Sequence, residues 1–331
     1  MTAVDLHTHF LPRFFVEEAA AGGVFGVRAD DGFVSHPQGF RYPIAPAFVD
    51  VEAKLAEMDA AGIDVAVLSA APTLFFYDAP SGEAVDFARR SNDALAGVVA
   101  QSERLAGLAA LPLQDPPDAA AELERAVGEL GLLGAHIGTG CGRVPLDDPR
   151  MEPVLGAAER LDVPLMLHPY YVGAKPGLED FYLVNSMGNP LDTSVAAVRL
   201  VYSGALDRFP RLRIALVHGG GFLPYQLGRF DHAFAVRPEA RVAIDRPPSS
   251  YLHRFWMDTI THGDEALRFL AARIGPERLY IGTDQPFDMA DAAPVERLQR
   301  IGVDVDATGG AAAALLKTDL EARRALETGG A

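Results

Sequence analysis

Short apolar runs alternate with longer amphipathic stretches along most of the chain. The first run, Val4-Asp5-Leu6-His7-Thr8-His9, reads as a strand and ends on two histidines spaced by one residue. Side chains of a strand alternate between its faces, so His7 and His9 share one face and Thr8 lies on the other. Residues 49–61 then show helical spacing (Val51, Leu55, Met58), end at Gly62 and feed a strand over residues 65–69. The alternation continues with helix 82–102, strand 105–110 and helix 118–130, the last opened by Pro117 where a missing N–H costs nothing. Strand 134–137, helix 151–161, strand 164–168 and helix 191–203 follow. Strand 213–217, helix 224–233, strand 255–259, helix 264–274 and strand 279–282 complete the series.

Two stretches interrupt it. Residues 10–48, with several Gly and Pro, read as an irregular insertion after the first strand, and residues 169–189, rich in Tyr and Gly, as another after the fifth. Residues 288–331 read as extra C-terminal helices with a frayed Gly-Gly-Ala end. Eight strands alternating with helices, with no compositional break, predict an α/β fold: one (β/α)8 TIM barrel over residues 1–331. Such a barrel needs about 250 residues, and the insertions and tail account for the surplus. A Rossmann fold is disfavoured, because no Gly-x-Gly-x-x-Gly opens a helix after the first strand.

Composition narrows the partners. The formal charge is −16, from 45 acidic and 29 basic residues. A surface so acidic argues against nucleic acid and anionic membranes, while a few placed arginines would still suffice for a small anionic substrate. The one cysteine, Cys141, allows no intrachain disulfide and suits a reducing cytosol. No basic-then-apolar leader precedes Val4, and no run approaches the roughly 18 apolar residues of a membrane span. The expectation is a cytoplasmic protein.

Active sites of TIM barrels lie at the C-terminal ends of the strands. Taken in order, those ends carry His7 and His9, His168, His218 and then Asp284. Each alone is ordinary: a buried His satisfied by backbone, or an Asp capping a helix. Five at one end of one barrel instead suggest a divalent-metal site. Three imidazoles and a carboxylate suit zinc first, with manganese, iron and cobalt less diagnostic.

The motifs at those ends are Val4-Asp5-Leu6-His7-Thr8-His9, Leu167-His168-Pro169, Val217-His218-Gly219-Gly220-Gly221 and Gly282-Thr283-Asp284-Gln285-Pro286-Phe287. With Glu57-Met58-Asp59 and Ala71-Pro72-Thr73-Leu74-Phe75, the chain resembles the amidohydrolase superfamily, in its decarboxylase-rich branch. The resemblance implies one divalent metal held by His7, His9, His168 and Asp284, with a water completing its shell. It implies that His218 is the general acid/base beside that water, consistent with an imidazole pKa of about 6.5. It further implies that two arginines clamp a substrate carboxylate: Arg41 in the first insertion, and Arg229, eleven residues past His218. In that branch the second arginine comes from a partner subunit, so a homodimer with shared sites is expected. Planar guanidinium groups suit a carboxylate because they can bond both oxygens. Arg41 reads equally as a solvated loop charge, and Arg229 as a helix salt-bridge partner.

Two positions depart from the branch pattern. Gln285 follows the metal aspartate where an aromatic residue is usual, and Asn185 aligns with a tryptophan. Both make the pocket more polar. Phe75, Phe76, Tyr170, Tyr171 and Tyr182 are candidate aromatic walls, though such residues more often simply pack. Asp258, ending the seventh strand, and Asp5, two residues before His7, could each orient a ligand imidazole, or equally make a structural hydrogen bond. His136 ends the fourth strand and reads first as a core or rim histidine.

The expected activity is metal-dependent, non-oxidative decarboxylation of a small unsaturated or aromatic carboxylic acid. A hydrolase or hydratase acting on an amide, lactone or keto acid could use the same site. A metal-free binding protein is disfavoured, since it has no reason to keep a costly polar cluster.

Overall fold

The computed structural model describes residues 2–170 and 176–318. Tyr171, part of the second insertion, and the Gly-Gly-Ala end lie outside the described residues. Eight parallel strands follow one another in sequence order: β1 (Val4–Phe10), β2 (Val65–Ala70), β3 (Leu105–Ala110), β4 (Ala135–Gly138), β5 (Pro164–His168), β6 (Arg213–Leu216), β7 (Phe255–Asp258) and β8 (Leu279–Tyr280). The seam between β8 and β1 is bridged by residues just after β8. Leu6 N donates to the Ile281 carbonyl at 2.9 Å, and His9 N to the Gln285 carbonyl at 2.8 Å. The sheet thus curls into a TIM barrel, as the alternation predicts.

The helices follow from local signals as well as from the apolar stripe. In Val51–Ala61, Asp50 accepts a hydrogen bond from Ala53 N at 2.9 Å, and Gly62 ends the helix in the left-handed region. Asp115 caps Pro116–Gly128 in the same way. Between strands and helices lies the main apolar layer, including Leu68, Leu95, Leu123, Leu155 and Leu200. A second cluster joins alternate strand residues, among them Val4, Leu6, Val67, Met166 and Tyr280, to Ala311, Ala312 and Leu315 of the last helix, Val305–Leu316. That helix covers the end of the barrel opposite the histidines.

The first insertion corrects the sequence reading. It is ordered structure: a helix, Arg13–Ala21, and a three-stranded antiparallel sheet of Arg28–Asp30, Phe33–Ser35 and Arg41–Pro43. Each strand has three residues and at most one buried position, Val34 or Tyr42, so no period is long enough to read. What holds this cap is its own apolar cluster, with Phe15, Val34, Tyr42, Phe48 and Phe87. In the second insertion, a π-helical turn, Val184–Gly188, runs into Asn189–Tyr202.

Strict alternation fails in β1. Leu6 belongs to the cluster beside the last helix, yet Thr8 bonds Lys54 on the outer helix. The pairing register of β1 with β2 shifts between Asp5 and Thr8, which accounts for the change of side.

Candidate metal centre

Three strand ends bring His7, His9, His168 and His218 together, with His136 of β4 packed against them, its ring centroid 5.2 Å from that of His168 and 5.5 Å from that of His9. Ring centroids of His7 lie 5.1 Å from His9, 5.1 Å from His168 and 5.3 Å from His218. Asp284, just past β8, completes the cluster. One donor atom each from His7, His168, His218 and Asp284 lie within 4.8 Å of one another. His9 is placed differently: its Nε2 bonds Asp284 Oδ1 at 3.0 Å. His7, His168 and Asp284 are therefore common to two possible quartets, which differ in having His9 or His218 as the fourth member.

Asp284 and His218 both sit at positive φ, 60° and 55°, a region that costs most side chains energy. Asp284 is held there by its own N–H, which donates to the His7 carbonyl at 2.8 Å. His218 is followed by three glycines, also at positive φ. At Gly221 a Cβ would stand 2.2 Å from the Pro190 carbonyl oxygen, so only glycine lets this loop pack against the helix after β5.

Asp258, at the end of β7, organises the centre. Its Oδ2 bonds His7 Nδ1 at 2.8 Å and accepts from His218 N at 2.9 Å. Its Oδ1 accepts from Gly219 N at 2.7 Å and Ile260 N at 3.1 Å. Asp5 takes the second of its two readings, a structural hydrogen bond: it accepts from the backbone of His7 and from Thr283.

The donor chemistry fits a cation. His7 Nδ1 is taken by Asp258 and His168 Nδ1 by the Pro169 carbonyl at 2.6 Å. This leaves both Nε2 atoms buried without a hydrogen-bond partner. Unpaired buried acceptors are costly in a folded protein, and fixing Nδ1 this way is how metal-ligating imidazoles are oriented. Electrostatics point the same way. Burial, then the neighbouring imidazoles, push the His168 pKa well below its usual value, and burial lowers His9 to about 4. Burial would also lower His7, but the Asp258 hydrogen bond and the charges of Asp284 and Asp258 outweigh it and raise its pKa. Burial alone would raise Asp284, yet the adjacent His218 imidazole, the hydrogen bond with His9 and the nearby imidazole charges hold it well below the carboxylate range. His168 and His9 thus favour the neutral, ligating form of the ring beside a carboxylate held in its ionised form.

A cavity of about 120 Å³ opens beside the cluster, lined by His168, His218 and Asp284 below, and by Arg41, Tyr42, Asn185, Asn189 and Phe287 around it. A larger groove of about 670 Å³ shares His218, Asp284, Asn185 and Asn189 and runs outward past Tyr225 and Phe269.

The expected substrate residues divide. Asn185 lines both cavities. Arg41 lines the smaller one, stacked over Phe33 at 3.8 Å and 3.7 Å from Asp30. Arg229 lies exposed on Leu223–Val236 and lines neither cavity. Gln285 also lines neither; it contributes its carbonyl, which accepts from His9 N at 2.8 Å and Thr8 Oγ1 at 2.9 Å. Phe75 is buried against Tyr77 and His136, supporting the site from behind. Tyr170 accepts from Gly142 N and, with Phe76, lines a separate cavity of about 260 Å³. Tyr182, by contrast, lines the small cavity.

Sequence reasoning missed Asn189, Tyr42 and Lys54. Tyr42 bonds Thr73 Oγ1 at 2.8 Å across the pocket wall. Its signal was available in Gly39-Phe40-Arg41-Tyr42, where only the arginine drew notice.

Comparison with known proteins agrees with this geometry. The chain is 32% identical over 307 residues to 2-amino-3-carboxymuconate-6-semialdehyde decarboxylase of Dictyostelium discoideum, covering 90% of this chain and 85% of that one. The crystal structure of 5-carboxyvanillate decarboxylase from Sphingomonas paucimobilis superposes with a TM-score of 0.83 at 29% identity, covering 96% of this chain and 99% of that one. The dihydroxybenzoic acid decarboxylase of Polaromonas sp. JS666, solved with bound manganese and 2-nitroresorcinol, gives a TM-score of 0.76 at 29% identity, over 96% and 97% of the two chains. Residues 4–325 match the amidohydrolase family. With an eight-stranded parallel barrel whose strand ends carry these histidines and the aspartate, the chain belongs to that family.

Proposed function

We propose that this chain is a metal-dependent, non-oxidative decarboxylase of a small aromatic or unsaturated carboxylic acid, working as one barrel domain. The observation that carries the reading is the pair of buried Nε2 atoms of His7 and His168, neither with a hydrogen-bond partner, facing an ionised Asp284. Decarboxylases among its relatives support the reaction class. His7, His9, His168 and Asp284 would hold one divalent cation. When bound, such a cation supplies Lewis acidity that stabilises negative charge on a substrate oxygen. The donor set takes zinc or manganese, and the manganese in the Polaromonas structure supports testing that ion first.

His218 carries the proton. It is the only one of the four histidines that lines a cavity on both sides, and His9 is fully buried. Loss of CO₂ leaves an electron pair on carbon that must take up a proton, and His218 is placed to deliver it. Arg41 and Asn185 bind the acid at the rim, while Phe75 backs the site, Gln285 braces the histidine strand through its carbonyl, and Tyr170 lies at the neighbouring cavity. Screening resorcylate-, salicylate-, vanillate- and picolinate-pathway acids with mass analysis of the products tests the reaction. The expected product has lost the elements of CO₂; a product that has gained the elements of water would establish a hydrolase or hydratase instead.

Arg229 reaches a site only from another copy of the chain, which implies a homodimer. The apolar face around Tyr225 (77% exposed) and Phe269 (46%) supports a covered surface nearby. Mixing inactive Arg229→Ala with inactive His168→Ala under subunit exchange then leaves one intact site in each mixed dimer. The expected recovery is about a quarter of wild-type activity. No recovery despite proven exchange would place Arg229 outside the site.

A further inference from the structure

Behind the metal-ligand strand, on the side away from the cavity, lies a buried ammonium that the proposed chemistry does not use. Lys54 of Val51–Ala61 is only 2% exposed. Its Nζ donates to Thr8 Oγ1 at 3.1 Å and to Glu57 Oε2 at 2.7 Å. Thr8 stands between His7 and His9, and its hydroxyl in turn donates to the Gln285 carbonyl at 2.9 Å. That same carbonyl accepts from His9 N at 2.8 Å, and the residue before it is Asp284. One chain of hydrogen bonds therefore runs from Glu57 through Lys54 and Thr8 to the segment that carries the carboxylate.

We propose that Lys54 is a positioning residue, which clamps the end of β1 to the segment after β8 through Thr8 and so sets the distance between the histidine pair and Asp284. Three facts favour this over plain helix packing. A lysine is among the last residues to be fully buried without a pairing reason. A methionine would fill the same apolar space without needing Glu57, and burying a charge is costly unless it is paired and hydrogen-bonded. The donor is also directed at the one side chain between the two histidines, just past the register shift that separates Asp5 from Thr8. The clamp gives Glu57, in the Glu57-Met58-Asp59 motif, a role that helix formation alone does not require.

The inference rests on the metal-site reading, and its test separates the two. Wild type, Lys54→Met, Thr8→Val, Thr8→Ser and the Lys54→Met/Thr8→Val double variant are stripped of metal and titrated with Mn2+ and with Co2+. Affinity is read by chelator competition, and ligand geometry by the visible absorption of the Co2+ form. Lys54→Met and Thr8→Val are each expected to weaken binding about tenfold and to change the Co2+ spectrum. Thr8→Ser, which keeps the hydroxyl, should restore both. The double variant should be no worse than the worse single one, because the two residues act through one chain. Wild-type affinity and spectrum in Lys54→Met, or fully additive losses, would overturn the clamp while leaving the metal site standing. Absence of metal binding by the wild type would overturn both. If Lys54→Met does not fold, Glu57→Gln takes its place, with the same changes expected in weaker form and an unchanged spectrum counting against the clamp.

Discussion

Replacing His168 with alanine is expected to abolish both metal binding and turnover, whereas His218→Ala keeps its metal and loses turnover. His168 presents a buried Nε2 that nothing in the protein bonds, with Nδ1 already committed to the Pro169 carbonyl. Its loss removes a ligand outright and should cost more than the roughly 10–100-fold penalty typical of an outer hydrogen-bond partner. His218 stands where the two cavities meet, with Nε2 3.6 Å from Asp284 Oδ2. Removing a positioned acid/base typically costs about 10²–10⁴-fold in rate. Metal content by elemental analysis beside kcat separates the two roles. Metal loss from His218→Ala would put that residue in the ligand set, the other quartet the geometry permits, and move the proton to another group.

The second large effect is expected at Asp258. Both of its oxygens are in use, two donors on each. Asn keeps the shape but turns one acceptor into a donor, so in either orientation two N–H groups face an N–H. A buried donor left unpaired costs about 1–3 kcal/mol, and the loss falls on the His7 ring in one orientation and on the loop that carries His218 in the other. Asp258→Asn should therefore lower metal affinity about 10–100-fold, with the metal-free protein also less stable to denaturant. Unchanged metal affinity would reduce Asp258 to a structural hydrogen bond for the glycine loop.

Much of this was legible in the chain because barrel strands are short apolar runs, and a histidine at the end of such a run stands out. His7, His168 and His218 were found in that way, and all converge. What was not legible has physical causes. The sheet of the first insertion is built from three-residue strands, too short to show a period, so Tyr42 escaped while Arg41 beside it did not. Lys54 sits on a helix where a lysine is normally solvated, and only the three-dimensional position of Thr8 shows what it bonds. Gln285 drew attention for its side chain, yet the barrel seam uses its carbonyl. A backbone contribution leaves no trace in residue type. Asp258 was read as a partner for one imidazole, and its hold on the glycine loop appears only with the fold.

The most direct measurement follows CO₂ release by chelator-stripped protein as Mn2+ or Zn2+ is added back, using whichever acid the screen identifies. Activity should be negligible without metal, rise linearly, and level off at one equivalent per chain. Full CO₂ release from metal-free protein, or saturation of metal uptake with no CO₂ produced from any acid of the panel, would contradict the assignment of this site as a metal-dependent decarboxylase.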